Sequence, residues 1–255
     1  LIANRDWENW RTAMAVEPPP PDVDERALRR VHLPRPGHAD LAGVLKYARD
    51  DARDILERAS ARETTARVAA GAIARRFLAE FDVTIGSHVV ALGPVEARVP
   101  DPLPDDLNAA ADASPLRTLD PEAGARMVRE IDEARAAGDT LGGVFEVVAR
   151  GLPVGLGSHV AWDRRLDGRL AQAIMSIPAM KGVEIGLGFH AARLRGSAVH
   201  DEIEPLDAAK AGRNPPLTGG YERRGNRAGG LEGGMTTGAP LVVRAAMKPL
   251  SSLMQ

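Results

Sequence analysis

Between residues 40 and 92 the spacing of apolar side chains changes from a helical period to an alternating one, which limits the folds open to the chain. Leu41, Val44, Leu45 and Ala48 form one helical stripe and Val68, Ala69, Ala72, Ile73 and Phe77 a second, so residues 40 to 80 are expected to be largely helix. From Asp82 to Leu92 the period is two. Val83, Ile85, Val89 and Ala91 share one face and Val90 and Leu92 the other, the pattern of a mostly buried strand. Further on, Asp120 can cap a helix that starts at Pro121, points Met127, Val128, Ile131 and Ala134 inward and stops at Gly138. Val144 to Ala149 reads as a strand and Leu166 to Ile177 as a helix. Leu241 to Lys248 reads as a strand that opposes Leu241, Val243, Ala245 and Met247 to Val242, Arg244 and Ala246. Aromatics make up only 4% of the chain, so aliphatic side chains must fill the interior, as layers of helix and sheet allow. An α/β or α+β fold is expected.

Lys and Arg total 33 against 35 Asp and Glu, a formal charge of -2, which removes the broad basic field of a nucleic-acid binder and makes any anion site local. With no Cys there is no disulfide framework, thiolate metal site or cysteine nucleophile. No apolar run is long enough to span a bilayer and no signal peptide is visible, so the chain reads as cytoplasmic. Residues 5 to 37, with the Pro18 to Pro21 run, read as an extended surface connection. Residues 202 to 225 combine Pro, Gly and charge without periodicity and read as a long mobile loop. The chain begins in an apolar Leu1-Ile2-Ala3 and ends at Gln255 just after an alternating run, and is expected to be incomplete at both ends.

Four segments can carry chemistry. In Arg35-Pro36-Gly37-His38-Ala39-Asp40 a proline and a glycine shape a turn that can hold an imidazole rigidly beside a cation; the alternative is a surface turn with Asp40 as a helix cap. Residues 57 to 67 set Arg58, Arg62 and Arg67 among small and hydroxyl side chains. Either this is a solvated helix face with a Glu63–Arg67 ion pair, or Arg58 and Arg62 take an anion between them. Asn226 to Gly238 is dense in glycine, able to offer backbone N–H groups to phosphate or to form a plain flexible loop; it is neither a Walker A loop nor a Rossmann fingerprint. Met247-Lys248-Pro249-Leu250-Ser251-Ser252 ends a strand with a cation and two hydroxyls, a set suited to phosphate or simply a strand terminus. Gly155 to Ser158 and Gly182 to Gly188 read as turns.

Taken in order, R-P-G-H-A-D (35 to 40), D-D-A-R (50 to 53), E-R-A-S-A-R-E-T (57 to 64), G-D-T-L-G-G (138 to 143), G-L-P-V-G-L-G-S (151 to 158), K-G-V-E-I-G (181 to 186), N-R-A-G-G (226 to 230) and M-K-P (247 to 249) resemble the chorismate synthase family. The resemblance implies an α+β fold, a β-α-β sandwich with helices between antiparallel sheets, spanning residues 1 to 255 as one domain. It also implies a homotetramer when the chain is complete. It implies an FMN-dependent carbon–oxygen lyase, associated with NADP, that removes phosphate from 5-enolpyruvylshikimate 3-phosphate by anti-1,4-elimination to give chorismate. The protein contributes position, anion binding and protons, and reduced FMN is the chemical agent. Carried over by residue, His38 resembles a catalytic histidine beside the flavin and Arg35 a ligand of the substrate anion. Arg58, Ala59, Ser60, Pro178, Ala179, Gly233, Lys248, Pro249, Leu250, Ser251 and Ser252 resemble flavin-binding positions.

The family's N-terminal Gly-x-Ser-His-Gly and C-terminal Arg-Ser-Asp segments are not among these 255 residues; Gly86-Ser87-His88 and Gly157-Ser158-His159 are each followed by Val and do not substitute. A truncated or degenerate relative that folds without turnover is therefore the alternative. A metal-dependent hydrolase built on His32, His38 and Asp40 is a further rival, but these residues share no helical face and no further ligand cluster accompanies them.

Overall fold

The helix at Pro121 forms where local rules put it. The Asp120 carboxylate accepts the N–H groups of Glu122 and Ala123, Pro121 occupies the first turn, and Gly138 (φ 69°) lies just past the end. The computed structural model describes the chain except for residues 1–2, 4–6, 14, 20, 24–27, 29, 60, 207–219 and 252–255. The chain divides into two compact units, residues 1–63 and 64–255.

The first unit holds α1 (Trp7–Trp10), α2 (Asp40–Tyr47) and α3 (Arg53–Leu56). α1 is a short helix inside the stretch expected to be extended. α2 and α3 meet where Gly43 faces Ile55 so closely that a Cβ at residue 43 would lie 2.5 Å from Ile55 Cγ2. The D-D-A-R segment is a structural clamp. Asp51 accepts the N–H groups of Val31 and Arg53 and pairs with the Arg53 guanidinium, which also donates to Leu28 O. The apolar stripe expected on α2 is not its buried face: Leu41 and Leu45 are exposed, while Asp40 and Gly43 are buried.

α4 (Ala61–Ala79) runs across the division. Val68, Ile73 and Phe77 of its predicted stripe are exposed, and Phe77 meets Phe81 edge to face at 5.2 Å between ring centres. Within the second unit follow β1 (Thr84–Leu92), β2 (Val95–Glu96), α5 (Leu107–Asp112), α6 (Pro121–Ala136), β3 (Gly143–Arg150), α7 (Leu166–Met175) and β4 (Met180–Ile185). β5 (Ile203–Pro205), β6 (Tyr221–Arg223), β7 (Leu231–Glu232), β8 (Met235–Thr236) and β9 (Leu241–Met247) complete it. Five strands form one antiparallel sheet in the order β2-β1-β3-β9-β4, and β5-β6 and β7-β8 are separate two-stranded ribbons. The segment read as a turn from Gly182 is thus strand β4, and the turn comes at Gly186.

One sheet face carries Ile85, Ala149, Leu241, Val243 and Ile185, which pack with Val83, Leu152 and Leu231 and with Leu166, Leu170 and Ile174 of α7. A second cluster gathers Val95, Ala123 and Met127 with Val89, Leu92 and Leu116. Val89 and Leu92 reach it together because a bulge shifts the register between Val89 and Ala91, inserting one residue and returning Leu92 to the side of Val89. The expectation that Leu92 lies opposite Val89 is corrected by that bulge. On α6, Val128 is exposed rather than inward, and Ala123 and Met127 carry the buried stripe.

Residues 203–205 and 221–223 pair as β5 and β6, so the ends of the stretch expected to be a mobile loop form a ribbon; its residues 207–219 lie outside the described residues.

Candidate functional site

In the first unit the R-P-G-H-A-D segment folds back on itself. Gly37 (φ 69°) turns the chain, the His38 N–H meets Arg35 O, and the Asp40 carboxylate takes three hydrogen bonds from Arg35: backbone N–H at 3.1 Å, Nε at 2.9 Å and Nη2 at 3.1 Å. Asp40 is fully buried. It is therefore not a helix cap, since no side chain caps α2, but the support of a cation. The Arg35 hydrogen bond holds the Asp40 carboxyl below its ordinary range despite burial, with the charges of Arg35 and His38 acting in the same direction. Reciprocally, the Asp40 hydrogen bond raises the Arg35 guanidinium.

His38 is half-buried and its Nδ1 lies 3.2 Å from Pro36 O. A carbonyl oxygen can only accept, so that contact requires the proton on Nδ1 and leaves Nε2, in the neutral ring, as the nitrogen with a lone pair. Because both Asp40 oxygens are taken by Arg35, Asp40 does not complete a metal site with His32 and His38, and no group of three or more His, Asp or Glu among the described residues could hold a metal.

Arg58 and Ala59 close α3 with N–H groups bonded to Ile55 O and Leu56 O. α3 ends at Leu56 and α4 begins at Ala61, so Arg58 and Arg62 are not on one continuous helix as the sequence reading had them. The three-residue spacing of those closing bonds is what ends the helix. The Arg58 side chain is exposed and makes no ion pair among the described residues. Ser60 lies outside the described residues.

The second unit brings several motifs together. Ala179, at φ 72° despite its Cβ, accepts the Lys248 N–H at 3.0 Å through its carbonyl. Lys248 Nζ donates to Ser251 Oγ at 2.5 Å, so a cation and a hydroxyl converge just past the last residue of β9. That donor set has the chemistry a phosphate-bearing cofactor requires. Pro178 precedes Ala179, Pro249 and Leu250 are exposed, and Ser252 lies outside the described residues. Gly233 sits in the tight turn between β7 and β8 at φ 59° with open space where a Cβ would be, so another molecule has room to approach.

The glycine-rich motifs serve largely as locks. A Cβ at Gly186 would lie 2.3 Å from Arg227 O and 2.5 Å from the Gly229 nitrogen, joining K-G-V-E-I-G to N-R-A-G-G. A Cβ at Gly157 would lie 2.3 Å from Gly234 O, and Thr236 accepts the Leu156 N–H while donating to Pro153 O, joining G-L-P-V-G-L-G-S to the β7-β8 turn.

The two Ser-His look-alikes separate. His159 is exposed, whereas His88 is buried in a row on the second sheet face, with Nε2 3.1 Å from Glu146 Oε1 while Arg244 Nε donates to Glu146 Oε2 at 2.8 Å. Burial pushes the Glu146 carboxyl up, but the hydrogen bonds from His88 and Arg244 outweigh it and hold it below the ordinary range. This row was missed in the sequence, though the strand pattern places Glu146 and Arg244 at alternating positions where apolar side chains are the rule. A cleft of about 720 Å³ between the C-terminal half of α4 and α5 holds none of the expected site residues.

The profile of the chorismate synthase family matches residues 1–255. A chorismate synthase of Moorella thermoacetica is 58% identical over 254 residues, covering 100% of this chain and 62% of that protein. One of Symbiobacterium thermophilum is 57% identical over 255 residues, covering 99% of this chain and 63% of the relative. A crystal structure of chorismate synthase superposes with a TM-score of 0.73 at 51% identity over 83% of this chain and 63% of that one. The chain thus spans about three fifths of the length of the curated relatives it matches. The expected α+β class, antiparallel sheets with helices, agrees with that superposition.

Proposed function

Because this chain belongs to the chorismate synthase family, we propose that it serves FMN-dependent anti-1,4-elimination of phosphate from 5-enolpyruvylshikimate 3-phosphate, yielding chorismate in the shikimate pathway. One C–O bond to phosphate and one ring C–H bond break, a second ring double bond forms, and no net oxidation occurs. The reading is carried by one observation, the Arg35–Asp40 clamp beside an imidazole whose tautomer is set by Pro36 O.

Asp40 occupies the Nε–Nη2 side of the guanidinium. The outer Nη1–Nη2 edge has the fork geometry that matches a carboxylate or phosphate, and the substrate carries both. His38 holds or moves a proton at Nε2. Within the second unit Lys248 and Ser251 bind the cofactor phosphate, with Pro178, Ala179 and Gly233 as further flavin-binding positions; in the first unit the resemblance carries over Arg58 and Ala59 as flavin-binding positions. The chemistry reduced FMN supplies when bound is transient donation of electron density to the substrate, recovered as the C–H bond breaks.

The family match runs through both units, which supports reading residues 1–255 as one family domain. Among the described residues no helix is long and apolar enough to cross a membrane. The family resemblance favours a cytoplasmic homotetramer associated with NADP.

The test is an anaerobic titration of the chain with FMN, with and without 5-enolpyruvylshikimate 3-phosphate, followed by flavin absorbance and fluorescence. Saturable binding that tightens with the substrate is expected; a folded chain that leaves both signals unchanged would overturn the reading.

A further inference from the structure

The G-D-T-L-G-G segment belongs to the ordered set of motifs, yet no role attaches to it from the resemblance. The β3–β9 ladder ends with Gly143 opposite Met247, so residues 248–251 continue without sheet pairing to β3. Two tethers then take over. The first is the Lys248 N–H on Ala179 O, and the second is the Thr140 hydroxyl, which donates to Leu250 O at 2.6 Å.

The loop that presents this hydroxyl is itself built. Gly138 (φ 69°) ends α6, Asp139 Oδ1 accepts the Thr140 N–H at 2.7 Å, and Gly142 O accepts the Gly93 N–H at 2.9 Å. Gly142 lies against the same segment from the other end. A Cβ there would fall 2.5 Å from Met247 O and 3.0 Å from Pro249 Cδ. Thr140 is only half-buried and in neither apolar cluster, so its hydroxyl, and not core packing, accounts for its contact.

We propose that Thr140 is a positioning residue that holds the Lys248–Ser251 segment in its ligand-binding shape through the Leu250 carbonyl, with Gly142 leaving the room that shape needs. The proposal rests on the reading that Lys248 and Ser251 bind the cofactor phosphate. A hydroxyl at residue 140 fixes the carbonyl of the residue next to Ser251, in the segment between the two donors, so Lys248 Nζ and Ser251 Oγ meet the phosphate already aligned. Losing it lets Pro249 and Leu250 swing, and the cost of ordering them falls on binding.

The experiment compares the parent chain with Thr140→Val, which keeps the shape without the hydroxyl, and Thr140→Ser, which keeps the hydroxyl. FMN affinity, thermal midpoint and the hydrogen-exchange rate of the Lys248 amide are read for each. A neutral hydrogen bond corresponds to roughly a three- to tenfold change in an equilibrium. Thr140→Val should weaken FMN by about that factor at an unchanged midpoint and speed Lys248 exchange, while Thr140→Ser stays near the parent. Equal affinity in Thr140→Val, or equal losses in both variants, overturns the proposal. If the parent itself binds no FMN, the cofactor reading fails separately, and the exchange rates still decide the tether: an unchanged Lys248 rate in Thr140→Val removes it.

Discussion

Asp40 and Arg35 form a side-on pair in which a fully buried carboxylate grips Nε, Nη2 and the backbone N–H of the same arginine. One residue thereby fixes both the direction of a cation and the turn that carries it. Asp40→Asn keeps the size but offers one acceptor and no charge. A charge-assisted hydrogen bond is worth about 1.5–3 kcal/mol, so the Asp40→Asn protein should need roughly tenfold or more substrate to tighten FMN binding. Its affinity for FMN alone should stay near the parent value. The anaerobic titration with and without substrate separates these, and an unchanged substrate dependence would show that Arg35 does not meet the substrate.

The same pair gives stability a pH dependence of known sign. Asp40 is held below its ordinary range in the fold, first by the Arg35 hydrogen bond, so its contribution is fully present above the ordinary carboxylate pKa of about 4. It is lost as pH falls from there through the depressed value. Asp51 and Glu146 are also depressed and act with the same sign. Thermal midpoints measured from pH 6 to pH 3 should therefore fall on the acid side, and less steeply for Asp40→Asn than for the parent. Parallel curves would remove Asp40 from the linkage.

The buried row on the sheet predicts a non-additive series. Glu146→Leu leaves the buried His88 without its partner, while the partly exposed Arg244 can turn to solvent, and should destabilise by about 1–3 kcal/mol, the usual cost of stranding a buried polar group. Replacing His88, Glu146 and Arg244 together by apolar residues removes the stranded groups and should recover most of that loss. Urea unfolding of the single and triple variants measures both. A triple variant as unstable as the sum of its singles would mean that the row shapes the sheet beyond its charges.

Two glycines should respond oppositely to alanine. At Gly186 the backbone is left-handed (φ 58°) and the new Cβ would meet backbone at 2.3 Å, so Gly186→Ala should be strongly destabilising. At Gly71, inside α4, nothing lies within 4 Å, and Gly71→Ala should stabilise by about 0.5–1 kcal/mol through helix propensity. Denaturant midpoints of the two variants check the pair, and loss of stability at Gly71 would show that α4 is covered there.

Periodicity made α6, β1, β3, α7 and β9 legible because each is a run in which neighbours along the chain decide what is buried. It failed at Leu92, where one bulged residue exchanges the faces and nothing local marks it. It failed on α2, where the buried positions are Asp40 and Gly43, one serving an ion pair and the other a close helix contact. Motif order offered candidate site residues by resemblance, but not how the motifs lock: Thr140 meets Leu250 and Thr236 meets Pro153 across 110 and 83 residues. The Arg35–Asp40 pair was within reach, since both ends lie in one six-residue motif. The local rule for an Asp at a helix start simply points to a cap first.

The fixed tautomer of His38 allows its role to be dissected atom by atom. Nδ1–H is committed to Pro36 O, so any proton chemistry belongs to Nε2. His38→Asn can place an amide N–H near the position of Nδ1 and preserve the turn while removing Nε2; His38→Gln reaches toward Nε2 but cannot titrate. General acid–base catalysis typically contributes about 10²–10⁴-fold, so both variants should lose turnover on that scale in the active enzyme while FMN affinity stays near the parent value. Stopped-flow and steady-state rates under anaerobic, reduced-flavin conditions provide the measurement, with FMN titration as the control. If His38→Asn keeps full turnover, the turn matters and the imidazole proton does not. If only His38→Gln retains activity, Nε2 acts as a hydrogen-bonding group and not as an acid or base.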